Sequence, residues 1–120
     1  MKIEIGQVEK DIENIYKSEF KSLLPNCEIV SPHGCDGLLK CDNIRTLLEF
    51  KYKTFLKQKL QQCNILIQCL YYLKKFEAAG EKLPSTLFVG DINECFAIHT
   101  NSIVKYLAKE INWKIAPSEA

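Results

Sequence analysis

The spacing of apolar positions along this chain changes several times, and each change marks an element. From about Gly6 to Leu24, apolar side chains recur at Val8, Ile12, Ile15, Phe20, Leu23 and Leu24, a helical stripe that Pro25 ends. Cys27–Val30 is a short strand stopped by Ser31-Pro32. Cys35–Cys41 is a second, and Asp42-Asn43 turns the chain into a third that runs from Ile44 to about Lys53. From Thr54 to Ala79 the pattern is helical, with no Gly or Pro until Gly80 supplies a stop; apolar on more than one side, this helix should be largely buried. Thr86–Val89 and Glu94–His99 read as two further strands joined by the tight connection Asp91-Ile92-Asn93, and a last helix follows from about Ser102 to Ile111. The order α-β-β-β-α-β-β-α predicts an α/β (α+β) fold, a mixed central sheet of about five strands flanked by helices, with a helical crossover into the fourth strand.

Composition narrows what such a domain does. The 120 residues suit one domain, residues 1–115, with residues 116–120 as a tail read as a linker to a longer protein. Sixteen basic and fifteen acidic residues leave a net charge of +1, which excludes nucleic-acid binding by bulk charge; any DNA contact rests on local clusters or on another part of a larger protein. No apolar run approaches the ~18 residues of a membrane span, and Met1-Lys2-Ile3-Glu4-Ile5 lacks the apolar core of a signal peptide, so the expected location is the cytoplasm. Cys27, Cys35, Cys41, Cys63, Cys69 and Cys95 form no C-x-x-C pair and read as reduced thiols, and neither His33 nor His99 completes a zinc set. Phosphate-loop, dinucleotide and adenine-methyltransferase motifs are absent from the sequence.

The candidate chemistry lies between Gly34 and Lys51. Asp36 is followed, at the end of the apolar run Arg45-Thr46-Leu47-Leu48, by Glu49-Phe50-Lys51. On alternating strand positions Glu49 and Lys51 share a face while Phe50 points to the other, and Asp36 on a neighbouring strand would bring three groups together. Asp-Gly alone is a turn signature and Glu-x-Lys alone is ordinary on an exposed strand. Together they are the carboxylate pair and lysine of a metal-dependent phosphodiesterase: magnesium takes oxygen ligands and keeps several waters, and the lysine orients or activates the attacking one. On the long helix, Gln61, Gln68 and Tyr72 fall within roughly 40° of one another at about 100° per residue, a polar stripe on an apolar element. Lys51, Lys53, Lys57 and Lys59 form either a solvated face or a set of phosphate contacts.

Gly34-x-Asp36, Glu49-x-Lys51 and Gln68-x-x-x-Tyr72, in this order of elements, resemble the PD-(D/E)XK nuclease superfamily over nearly the whole chain. The nearer resemblance is to the N-terminal nuclease module of fused, type IIG-like restriction endonuclease/adenine methyltransferases, carried by Leu47–Lys51, Gln68–Glu77 and Phe88–Phe96. It implies a restriction-endonuclease-like core in which Asp36, Glu49, Lys51 and Gln68 are catalytic. Asp36, Glu49 and the Phe50 carbonyl would hold Mg2+, with Mn2+ as a substitute. Tyr72 and an acid of the first helix, Glu13 ahead of Glu9 and Glu19, would be accessory, and Lys53, Lys57 and Lys59 would meet DNA phosphates. The implied substrate is double-stranded DNA, with methyltransferase and target-recognition domains in the same parent chain and no membrane partner. A catalytically silent nuclease-fold interaction or DNA-binding module, and a repair-type exonuclease or junction resolvase, are the alternatives. The cysteine spacing does not suit the exonucleases of this superfamily that carry an iron–sulfur cluster. The sequence departs from the pattern in having His33-Gly34-Cys35, not proline, before Asp36, and in lacking a basic cluster, so weak, salt-sensitive DNA binding is expected of these 120 residues alone.

Overall fold

A computed structural model describes residues 5–52, 56, 58–109 and 113–114. Helix α1 (Ile5–Leu23) leads into strand β1 (Glu28–Val30), a 3-10 turn at Pro32–Gly34, and strands β2 (Gly37–Cys41) and β3 (Ile44–Phe50). Helix α2 (Lys59–Ala78) then crosses to β4 (Thr86–Gly90) and β5 (Cys95–His99), and 3-10 turns at Thr100–Ser102 and Val104–Ala108 follow. The five strands form one mixed sheet in sequential order, antiparallel except where β3 pairs β4 in parallel, Thr46 beside Thr86 through to Phe50 beside Gly90. That parallel pair is what the crossover makes possible, since parallel neighbours cannot be joined by a short hairpin.

Alternation along the strands sorts the core into two layers. Leu38, Leu47, Leu87 and Val89 pack with Ile65, Cys69, Leu73 and Phe76 of α2. Leu39, Leu48 and Phe50 pack with Ile12 on the other face, where Val8, Tyr16, Phe20 and Phe88 join them. Burying both faces explains the near-continuous apolar run of β3.

The turns follow local chemistry. Asp42 adopts a left-handed φ of 54° in the β2–β3 turn, a conformation its short polar side chain tolerates. Gly80, at φ 70°, ends α2, with its N–H donating to the Glu77 carbonyl at 3.0 Å and the Glu81 N–H to that of Phe76 at 2.9 Å.

Several expected boundaries are corrected. Asp36 precedes β2 instead of lying within it, and Lys51 lies one residue past β3. The segment expected as a closing helix consists of 3-10 turns through Ala108, because burying Ile103 and Leu107 needs only short turns there. Glu110 and Ile111 of that segment, Lys53 at the expected end of the third strand, Thr54, Phe55 and Lys57 at the start of the expected long helix, and the tail 116–120 lie outside the described residues. The buried stripe of α1 is also rotated from expectation: it runs Val8, Ile12, Tyr16, Phe20, and Ile15 is 62% exposed. Ile15 sits about 100° back from Tyr16, off the face that meets the sheet. Leu60 and Ile67 of α2 are exposed, while its buried residues Ile65, Cys69, Leu70, Tyr71, Leu73 and Phe76 extend round more than one side of the helix. Among the described residues no helix is long and apolar enough to cross a membrane.

Candidate active site

The ends of β3 and β4, the loop before β2 and one edge of α2 meet at a cluster of polar side chains within the core. Glu49 is the penultimate residue of β3 and only 5% exposed. By alternation it faces α2, and the Lys51 amine swings to the same side to meet Glu49 Oε1 at 3.1 Å. The same amine donates to Gln68 Oε1 at 2.7 Å. Lys51 itself is fixed through its backbone, whose N–H donates to the Gly90 carbonyl of β4 at 2.8 Å. Asp36 enters from the loop before β2, where its Oδ2 accepts the Phe50 N–H at 2.7 Å. Side chains from three separate segments are thereby held beside Glu49.

The electrostatics are those of acids crowded in a poorly hydrated space. Burial, then the neighbouring Asp36, push the Glu49 carboxyl up to about 7 against the opposing pull of Lys51. Asp36 is raised as well, chiefly by burial, although the Phe50 N–H and the Lys51 and Lys17 ammoniums favour its ionised form. Glu49 Oε2 is buried without a hydrogen-bond partner. A carboxylate oxygen left in that condition is costly unless a cation or a proton satisfies it.

Helix α1 adds further acids. Glu9, Lys10, Glu13, Asp36 and Phe50 line a cleft of about 220 Å³. Glu13 is buried, pairs with Lys10 and lies 3.4 Å from the Lys17 amine. Burial raises the Glu9 carboxyl; Lys51 opposes the shift and Asp36 and Asp91 add to it. Asp91, expected only as part of a tight turn, is buried at the end of β4. Its position could have been found only from the parallel register that sets Gly90 beside Phe50. Glu19 lies apart from the cluster, exposed along an apolar groove with Ile12 and Phe20.

The other expected residues divide. The Tyr72 hydroxyl approaches the Gly34 carbonyl at 3.4 Å, and burial, then Glu49 and Asp36, push it up to about 12. Lys59 is exposed at the first position of α2, and Lys53 and Lys57 lie outside the described residues. Among the described residues no three His, Cys, Asp or Glu side chains are arranged to hold a metal ion between them. Asp36 and Glu49 present carboxylate oxygens, the donor type that a hard cation keeping part of its hydration would take. No protein-family model matches the chain, and neither a curated protein nor a solved structure matches it significantly.

Proposed function

We propose that this chain is a magnesium-dependent deoxyribonuclease domain with a restriction-endonuclease-like core, serving as the nuclease of a restriction–modification protein. The observation that carries the reading is the convergence of Asp36, Glu49, Lys51 and Gln68 on one site, joined by the Lys51 contacts to Glu49 and Gln68 and by the Asp36 contact to Phe50. Asp36, Glu49 and the Phe50 carbonyl would hold Mg2+, or Mn2+ in its place. The ion supplies Lewis-acid polarisation of the scissile phosphate and a lowered pKa for the attacking water.

The protein's own share is placement and charge. Gln68 holds the Lys51 amine at a fixed height beside Glu49, from which it orients the water. Water oxygen bonds to phosphorus as the bond from phosphorus to the 3′ oxygen breaks, leaving a 5′-phosphate and a 3′-hydroxyl. Methyltransferase and target-recognition domains in the same parent polypeptide follow from the sequence resemblance and would supply the affinity that a net charge of +1 does not. The intact set of site residues favours this reading over a catalytically silent module.

The test is incubation of closed circular and linear double-stranded DNA with the protein at low salt, with magnesium or with chelator. Magnesium-dependent nicking or linearisation of the circle, absent from Asp36→Ala, is expected. Degradation of linear DNA alone would assign a repair-type exonuclease instead. Cleavage that is equal in Asp36→Ala would overturn the assignment.

A further inference from the structure

Tyr16 of α1 bears on both parallel strands where they reach the site. Its ring stacks on Phe50, with centroids 5.4 Å apart and planes 23° from parallel. Its hydroxyl donates to the Asp91 carbonyl at 2.6 Å. Between these contacts the ring covers Gly90 so closely that a Cβ there would come within 2.8 Å of Cζ and 2.9 Å of Cε2. The backbone groups under this ring hold the site: the Phe50 N–H binds Asp36 Oδ2, and the Gly90 carbonyl accepts the Lys51 N–H. Asp91 closes the next turn, its own N–H donating to the Glu94 carbonyl at 2.7 Å.

We infer that Tyr16 is a positioning residue of the active site. The ring pins Phe50 and Gly90, and the hydroxyl pins Asp91, so that the ends of β3 and β4 stay in the register that presents Asp36 and Lys51 to Glu49. The inference rests on the nuclease reading and extends it to a side chain that acts through the backbone of its neighbours. A merely structural tyrosine would be replaced by phenylalanine at little local cost, because Phe50 stacking survives. A positioning tyrosine loses its tether to Asp91, and the freed strand ends move.

Tyr16→Phe is compared with wild type and with Phe20→Leu, which disturbs the same helix at a residue packed edge-on against Phe88. In the metal-free protein, amide hydrogen exchange at Phe50 and Lys51 should be about five- to tenfold faster in Tyr16→Phe, from loss of one partly buried hydrogen bond. Leu47 and Leu87 should keep their protection, and Phe20→Leu should show no selective effect at Phe50 and Lys51. In single-turnover cleavage with magnesium, the rate at saturating DNA should fall by a similar factor in Tyr16→Phe with the half-saturating DNA concentration unchanged. Wild-type exchange at Phe50 and Lys51 in folded Tyr16→Phe, with wild-type cleavage intact, would overturn the role of Tyr16 alone. Absence of magnesium-dependent cleavage in the wild type would overturn the nuclease reading and this role with it.

Discussion

The Lys51 amine, just past the end of β3, donates to the side-chain oxygen of Gln68 on α2 across 2.7 Å. The same amine pairs with Glu49 Oε1 at 3.1 Å, so the ammonium is shared between the amide oxygen and the carboxylate. Gln68→Leu removes the shared acceptor and leaves the ammonium to Glu49, where it would compete more strongly with a cation. Cleavage should fall about ten- to a hundredfold, the range for loss of an outer hydrogen-bond partner at a metal-dependent site. The magnesium concentration needed for half activity should rise with it. An unchanged magnesium dependence would show that Gln68 serves packing alone.

Glu49 gives the metal-free protein a particular response to pH. Its carboxyl is raised from an ordinary 4.5 to about 7, first by burial. The folded chain therefore keeps a proton that the unfolded chain releases between those values, so this group's contribution to stability is full below the lower value and declines as pH rises through the upper one. In chelator, Glu49→Gln should melt several degrees above wild type at pH 8 and close to it at pH 4.5. Adding magnesium at pH 8 should raise the wild-type melting temperature, because a ligand bound by the native state stabilises it by mass action, and should raise that of Glu49→Gln less. Equal melting of the two proteins across this range would contradict the buried, electrostatically strained state of Glu49.

Gly90 is required by space. A methyl group there would meet the Tyr16 ring at 2.8 Å and Phe88 Cε1 at 3.0 Å. Gly90→Ala should cost about 1–3 kcal/mol, the range for overpacking a core. Tyr16→Ala should relieve part of that cost, so the double variant should be more stable than the sum of the single effects. Full additivity in chemical denaturation would place the strain elsewhere.

The free thiols provide a check on the packing. Cys27, Cys35 and Cys69 are buried, Cys41 is half-buried, and Cys63 and Cys95 are exposed. Burial also pushes the Cys35 thiol up to about 11 and raises Cys69, so little thiolate forms at neutral pH. Alkylation of the native protein, mapped by mass spectrometry, should modify Cys63 and Cys95 first and Cys35 and Cys69 last. Early modification of Cys69 would contradict its place beneath the site.

Much of this arrangement is legible in the sequence because it depends on local periods. The alternation at Glu49, Phe50 and Lys51 sends Phe50 to the α1 layer, and the 3.6-residue repeat of α2 aims Gln68 at the lysine. What depends on long-range pairing is not legible. Asp91 looks like a turn residue until the parallel register of β3 and β4 sets its neighbour Gly90 beside Phe50. Tyr16 falls outside the expected apolar stripe because Ile15 is the more hydrophobic neighbour, yet the aromatic side chain is the one that meets the sheet. Ile103 and Leu107 repeat at helical spacing, and 3-10 turns bury them as well.

The most direct test of the nuclease assignment is single-turnover cleavage of duplex DNA at high protein concentration and low salt, comparing wild type with Asp36→Asn, Glu49→Gln and Lys51→Ala. Lys40→Ala, a half-buried lysine of β2 paired with Arg45 in the sheet register, serves as control. The expected result is magnesium-dependent cleavage by wild type and Lys40→Ala, leaving 5′-phosphate ends, with loss of at least a hundredfold in each of the three site variants while circular dichroism shows them folded. Folded Asp36→Asn and Lys51→Ala proteins that cleave at the wild-type rate would contradict the assignment.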